Sequence, residues 1–197
     1  MKKPVLLVVL LLSAQVMFGQ FDFGLKAGYN ATKLSANPDT VQGTMGSGFH
    51  VGAFARIGKK FYVQPEAYYT LQSSKVEGTE TAWAQKLIIG SVDIPVLAGF
   101  KFLNSKAVKI RILAGPVVSF VINRDVKEIG DATGPVRAPD ISNVNWGLQA
   151  GAGLDALFLT FDIRYQAGLN NMIKEVQTAT WNSKNSGWVI SLGFKLL

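Results

Sequence analysis

The sequence predicts an all-β chain, an eight-stranded antiparallel up-and-down transmembrane β-barrel. Three observations lead there. Segment after segment alternates apolar and polar residues with a period of two, the signature of strands, and long amphipathic helical patterns are missing. The apolar faces are free of charge, whereas the opposite faces carry acids and bases in nearly matched numbers. Connections alternate long and short, as in a meander whose loops elaborate at one rim and stay tight at the other.

Residues 1–19 precede that pattern and read as a signal peptide. Lys2 and Lys3 lead into the apolar run Val5 to Leu12, then small residues approach an expected cleavage near Gly19-Gln20. That run is far short of the roughly 20 residues a helix needs to span lipid. Residues 20–197 then form one domain, the expected barrel. The chain has no cysteine, which excludes disulfides, thiolate metal sites and a lipid anchor on cysteine. Its net charge is +7, but two of the lysines lie in the leader and no basic stripe follows, so nucleic acid is not an expected partner.

The strands follow in order. The first, Phe21 to Asn30, sets Phe21, Phe23, Leu25, Ala27 and Tyr29 against Asp22, Gly24, Lys26, Gly28 and Asn30. A polar connection, Ala31 to Ser47, precedes the second, Gly48 to Ile57, whose outward set is Phe49, Val51, Ala53, Ala55 and Ile57; Gly58-Lys59-Lys60 is a short turn. The third, Phe61 to Leu71, opposes Phe61, Val63, Ala67 and Tyr69 to Tyr62, Gln64, Glu66 and Tyr68, and Gln72 to Gln85 is the next long connection. The fourth, about Lys86 to Phe102, turns Ile94, Val96 and Phe100 outward and Ser91, Asp93 and Lys101 inward. The fifth, Ala107 to Ile122, opposes Ile110, Ile112 and Phe120 to Lys109, Arg111 and Ser119, and Asn123 to Ser142 is long and charged. Trp146 to Leu169 holds the cleanest alternation, two strands whose hairpin is expected at Asp155-Ala156, with Asp155, Asp162 and Arg164 on the polar face. Asn170 to Gly187 is the fourth long loop, and Trp188 to Leu197 the eighth strand.

Alternation alone does not give sidedness, since a soluble lipocalin-like carrier shows the same period with apolar residues around a ligand cavity. Inward glycines that leave room for charged side chains, aromatics near strand ends, and long loops sharing one rim favour the membrane version. Lipid offers no hydrogen bonds, so the sheet is expected to close without a free edge. Eight strands enclose a bore that side chains can fill. The expected candidate site is therefore a lumen ion-pair network of Asp22, Lys26, Arg56, Glu66, Asp93, Lys109, Arg111, Asp155, Asp162 and Arg164, paired because buried charges need partners.

The other candidates are thinner. His50 is the single histidine and faces inward. As a general base it would need a nucleophile, for which Ser47 and Ser119 are the available serines, but there is no G-x-S-x-G elbow. One histidine, no cysteine and no spaced carboxylate cluster leave no metal site, and no cofactor is expected. Asp162 and Arg164, two apart on one face, admit an anion site or a gate as the alternative to a structural role. Trp83 and Trp181 in the long loops are candidate contact residues, or rim residues touching headgroups.

SVDIPVLAGFKF (Ser91 to Phe102), ILAGPVVSFVI (Ile112 to Ile122), GLQAGAGLD (Gly147 to Asp155) and LTFDIRYQAGLNN (Leu159 to Asn171) resemble the successive strand motifs of PorT-like bacterial outer-membrane β-barrel proteins. The resemblance spans nearly all of the chain after the leader. It implies a signal peptide, a bacterial outer-membrane location and no catalytic residue, and it does not carry over the secretion role of the name-giving member. One departure is the end of the chain, Phe194-Lys195-Leu196-Leu197, where such strands commonly finish on an aromatic. The expected function is a non-enzymatic barrel with a side-chain-filled lumen, in a structural, adhesion or envelope-assembly role. A narrow pore for small solutes, a soluble carrier and a lipid-modifying barrel enzyme are the alternatives. Expected partners are outer-membrane lipid, the outer-membrane assembly machinery and surface partners met through the loops.

Overall fold

The computed structural model describes residues 21–35, 41–43, 45–78, 84–105, 107–129, 142–170 and 184–197. Its strands are β1 (Phe21–Ser35), β2 (Val41–Gly43), β3 (Met45–Ile57), β4 (Phe61–Gly78), β5 (Ala84–Asn104), β6 (Val108–Ile129), β7 (Val144–Ala156), β8 (Leu159–Gly168) and β9 (Lys184–Lys195). The ladder runs β4, β3, β1, β9, β8, β7, β6, β5, and a further β4–β5 pairing closes it into a ring of eight, with the short β2 added on β4. Every pairing is antiparallel. Closure satisfies the backbone polar groups of the wall from within, as lipid requires.

Burial is inverted relative to a water-soluble domain. Arg56, Arg111 and Arg164 are 0% exposed, whereas Phe49 is 69% and Phe61 75% exposed. A soluble monomer seldom exposes an apolar patch beyond a few hundred Å². Here the apolar band circles the whole barrel, and a belt of acyl chains is the environment it fits. The aromatics form two girdles. Tyr29 meets Phe49 at 5.4 Å and Tyr165 meets Trp188 at 5.3 Å towards the long-loop rim. Phe61 meets Phe100 at 4.9 Å and Phe158 meets Phe194 at 5.1 Å at the short-turn rim. From Phe21 to Tyr29 the chain rises about 27 Å along the strand. A tilt of about 40° reduces that to roughly 20 Å, to which the rings add their reach, close to the apolar band of such barrels.

Several boundaries differ from the sequence reading. β1, β4 and β6 run on past Asn30, Leu71 and Ile122, and β3 and β9 begin before Gly48 and Trp188. At one or both ends, what reads as the loops Ala31 to Ser47, Gln72 to Gln85, Asn123 to Ser142 and Asn170 to Gly187 is thus strand. Beyond the lipid neither face must be apolar, so alternation fades while ladder hydrogen bonds continue; Ser73 to Glu77 still pair with Ile88 to Ala84. The hairpin turns at Leu157-Phe158 rather than Asp155-Ala156. Leu157 has φ 51°, the left-handed value of a primed hairpin turn, which glycine or asparagine normally supplies. Two apolar residues there mimic a continuing strand.

Two register shifts, between Gly90 and Ser91 and between Lys101 and Leu103, mark bulges in the β5–β6 pair. Phe102 and Leu103 consequently both face outward. The inward faces are also less uniformly polar than the alternation suggests, because Leu97, Leu113, Val117 and Val189 are buried there. The leader, Trp83 and Trp181 lie outside the described residues.

Candidate functional site

Alternation sends every second side chain of each strand into the bore, and the register decides which of them meet. Asp22 lies opposite Arg56 in the β1–β3 pair, and Gly153 lies opposite both Arg111 and Asp162. The glycine creates the space the charges use. A Cβ on Gly153 would stand 2.3 Å from Asp162 Oδ1 and 2.5 Å from Arg111 Cζ. Gly99 does the same for the Tyr62 ring, 2.1 Å from such a Cβ.

The charges form one unbroken alternating chain across the bore. Arg164 donates to Glu66 at 2.6 Å, and Glu66 accepts from Lys26 at 2.6 Å. Lys26 also bridges to Asp162, which takes Arg111 at 2.5 Å. Arg111 Nε reaches Asp155 at 3.1 Å, Asp155 takes Arg56 at 2.6 Å, and Arg56 approaches Asp22 at 3.5 Å. Uncharged neighbours complete the shell. Gln64 accepts from Arg56 Nε at 2.7 Å and donates to Glu66. Thr160 donates to Asp155 at 2.7 Å and accepts from Arg111 at 2.6 Å. Tyr68 accepts from Arg164 at 3.0 Å. Burying charges of this kind is costly unless each is paired and hydrogen-bonded.

Eight of the ten residues expected from the sequence thus lie in one cluster. Asp93 stands apart towards the long-loop mouth, accepting from Thr70 at 2.6 Å and Ser91 at 2.9 Å. Lys109 lies opposite Asp155 in register but forms no ion pair among the described residues. Gln64, Tyr68 and Thr160 are absent from the sequence-based set because a search for charge overlooks neutral partners; their inward parity was the available signal. Lys195 joins Asp155 at 3.8 Å, and Lys101 is fully buried at the same end.

His50 is enclosed above the cluster. Its Nδ1 donates to Asn30 Oδ1 at 2.8 Å, and its Nε2 accepts from the Ser191 hydroxyl at 3.0 Å. Arg164 donates to the same hydroxyl at 3.3 Å. His50 and Ser191 are 3% and 1% exposed. Neither Ser47 nor Ser119 is bonded to His50 in the structure. Towards the long-loop rim the bore opens into a cup of about 40 Å³ lined by Asn30, Thr70, Gln72, Asp93, Asn145 and Gln166 among others. That is room for a water or two. Among the described residues no group of three or more His, Cys, Asp or Glu is placed to hold a metal.

A closed eight-stranded ring, an apolar belt between aromatic girdles and a bore packed with ion pairs define a bacterial outer-membrane β-barrel. The family model of the outer membrane protein beta-barrel domain matches residues 13–174, and the chain belongs to that family. Among solved structures it is similar to the outer membrane protein OprG from Pseudomonas aeruginosa, with a TM-score of 0.55 and 14% identity over 90% of this chain and 97% of that one. It also matches the outer membrane enzyme PagL, with a TM-score of 0.49 and 15% identity over 87% and 98% of the two chains. A third match is Ail, the attachment invasion locus protein of Yersinia pestis, with a TM-score of 0.45 and 11% identity over 90% and 99%. No curated protein matches the chain.

Proposed function

We propose that this is a non-enzymatic outer-membrane barrel whose bore is a structural plug and whose biological contacts are made at the long-loop rim, in adhesion or envelope assembly. The observation that carries the reading is the continuous chain of ion pairs from Arg164 to Asp22, contributed by β1, β3, β4, β6, β7 and β8. A bore cross-linked in this way leaves no path for a hydrated solute. The rim supports the contact role, since β4, β5 and β6 stay paired beyond the upper girdle, with Ala84 to Ile89 on Ile129 to Arg124, and stand about 20 Å clear of it.

Catalysis is disfavoured by the surroundings of His50. Asn30, His50 and Ser191 make a relay of the acyl-transfer type, but the serine hydroxyl is sealed inside the wall. The lipid-facing depression outside it, about 650 Å³, includes His50 and Ser191 among its lining residues, but both side chains are buried and bonded to Asn30, to each other and to Arg164 on the bore side of the wall. The PorT-like motifs are consistent with a non-catalytic barrel, residues 1–19 with export before cleavage, and Phe194 with the outward aromatic that an assembly machinery reads on a last strand.

The second reading, a narrow pore, draws on the polar cup and Asp93 at the long-loop mouth. Planar-bilayer recording of the purified protein separates the two. The plug reading expects no single-channel steps; regular steps that change size in Arg164→Ala would establish the pore.

A further inference from the structure

The bore is not electrically balanced, and the imbalance is local. Arg56, Lys101, Lys109 and Lys195 gather at the short-turn mouth against Asp22 and Asp155. Asp155 is already engaged by Arg56, Arg111, Lys195 and Thr160. Lys101 is 0% exposed, yet among the described residues its ammonium has one hydrogen-bond contact, the Gly58 carbonyl at a long 3.5 Å, besides lying 5.5 Å from the centre of the Tyr62 ring. Arg56 lies over the same ring at 5.2 Å, and its Nη2 is buried without an acceptor among the described residues. The charged groups around Lys101 are Arg56 and Lys109 against Asp22 and Asp155, and the last of these already serves three other cations. Buried donors left without partners call for a water or an ion. Lys101 and Arg56 both lie over the Tyr62 ring, and an excess of positive charge at this mouth favours the ion, because a neutral water leaves it uncompensated.

We propose that the short-turn mouth of the bore holds a small inorganic anion, of halide size, on the Lys101 ammonium beside Arg56. The size follows from Tyr62, whose ring occupies the space beside Gly99 and lies 5.5 Å from the ammonium, so that a larger anion is excluded. The anion is the missing counter-charge of the plug. It would lock β3, β4 and β5 together at the end where turn 58–60 joins two of them.

Crystals of the detergent-purified protein soaked in sodium bromide test the site directly. Anomalous difference density is expected within hydrogen-bond reach of Lys101 Nζ, and should be lost in Lys101→Met. In solution, the temperature at which the folded band converts to the unfolded band on a gel should be several degrees higher in sodium chloride than in sodium gluconate at equal ionic strength. Lys101→Met should show no such difference. Absence of a bromide peak beside Lys101 in the wild type overturns the proposal, even if the variant fails to fold. An equal chloride response in wild type and variant overturns it as well, since screening alone then explains the effect.

Discussion

Replacing Asp162 by asparagine keeps the shape of the side chain and removes the charge at the centre of the plug. Asp162 is fully buried and bridges Lys26 and Arg111. Removing one member of a buried ion pair commonly costs about 3–5 kcal/mol, because the partner stays buried without its counter-charge. Here Lys26 keeps Glu66 and Arg111 keeps Asp155, so the lower end, about 3 kcal/mol, applies. For a chain of this size that corresponds to a midpoint lower by roughly 6–12 °C. The assay is heat-modifiability, in which the folded barrel migrates ahead of the unfolded chain in detergent gels and the temperature of conversion is read from a series. Lys26→Met combined with Asp162→Leu should recover at least 1 kcal/mol relative to the sum of the single changes, as apolar replacement of a whole pair is often tolerated. A midpoint for Asp162→Asn within about 1 °C of wild type would refute the reasoning.

Gly153→Ala should destabilise the barrel by about 1–3 kcal/mol, the usual range for overpacking, whereas Gly147→Ala, whose Cβ would stand 3.0 Å from the Ala167 carbonyl, should cost less; the same gel series compares them. Ile163→Arg places a charge in the apolar belt and should cost about 2–4 kcal/mol of folding free energy into vesicles, measured by urea titration, while Tyr29→Arg in the upper girdle should cost less than about 1 kcal/mol. Mass spectrometry of the mature protein should find its first residue near Gly19-Gln20, and a chain that retains Met1 to Phe18 in the outer membrane would contradict the leader reading.

Most of the wall is legible in the sequence because lipid imposes a strict rule on alternate residues. Leu157 to Leu169 carries no charge on its outward parity, and the structure turns those strand side chains to the belt. The rule lapses where its cause does. Above the upper girdle both faces of β4, β5 and β6 can be polar, so the pattern of Gln72 to Glu77 resembles a loop although its backbone is paired. Leu157-Phe158 hides a turn behind apolar side chains. Within the bore, parity shows which charges point inward but not which of them touch. Contacts such as Arg164 with Glu66, 98 residues apart, depend on the shear of the closed ring, which no single strand encodes.

The sidedness of that wall is tested most directly by membrane fractionation combined with heat-modifiability. The account predicts a protein that sediments with the outer membrane, resists extraction by urea or carbonate, requires detergent to stay in solution, and shows a compact band that converts on boiling. A mature chain that is monomeric and soluble without detergent, with no heat-dependent band, would contradict it.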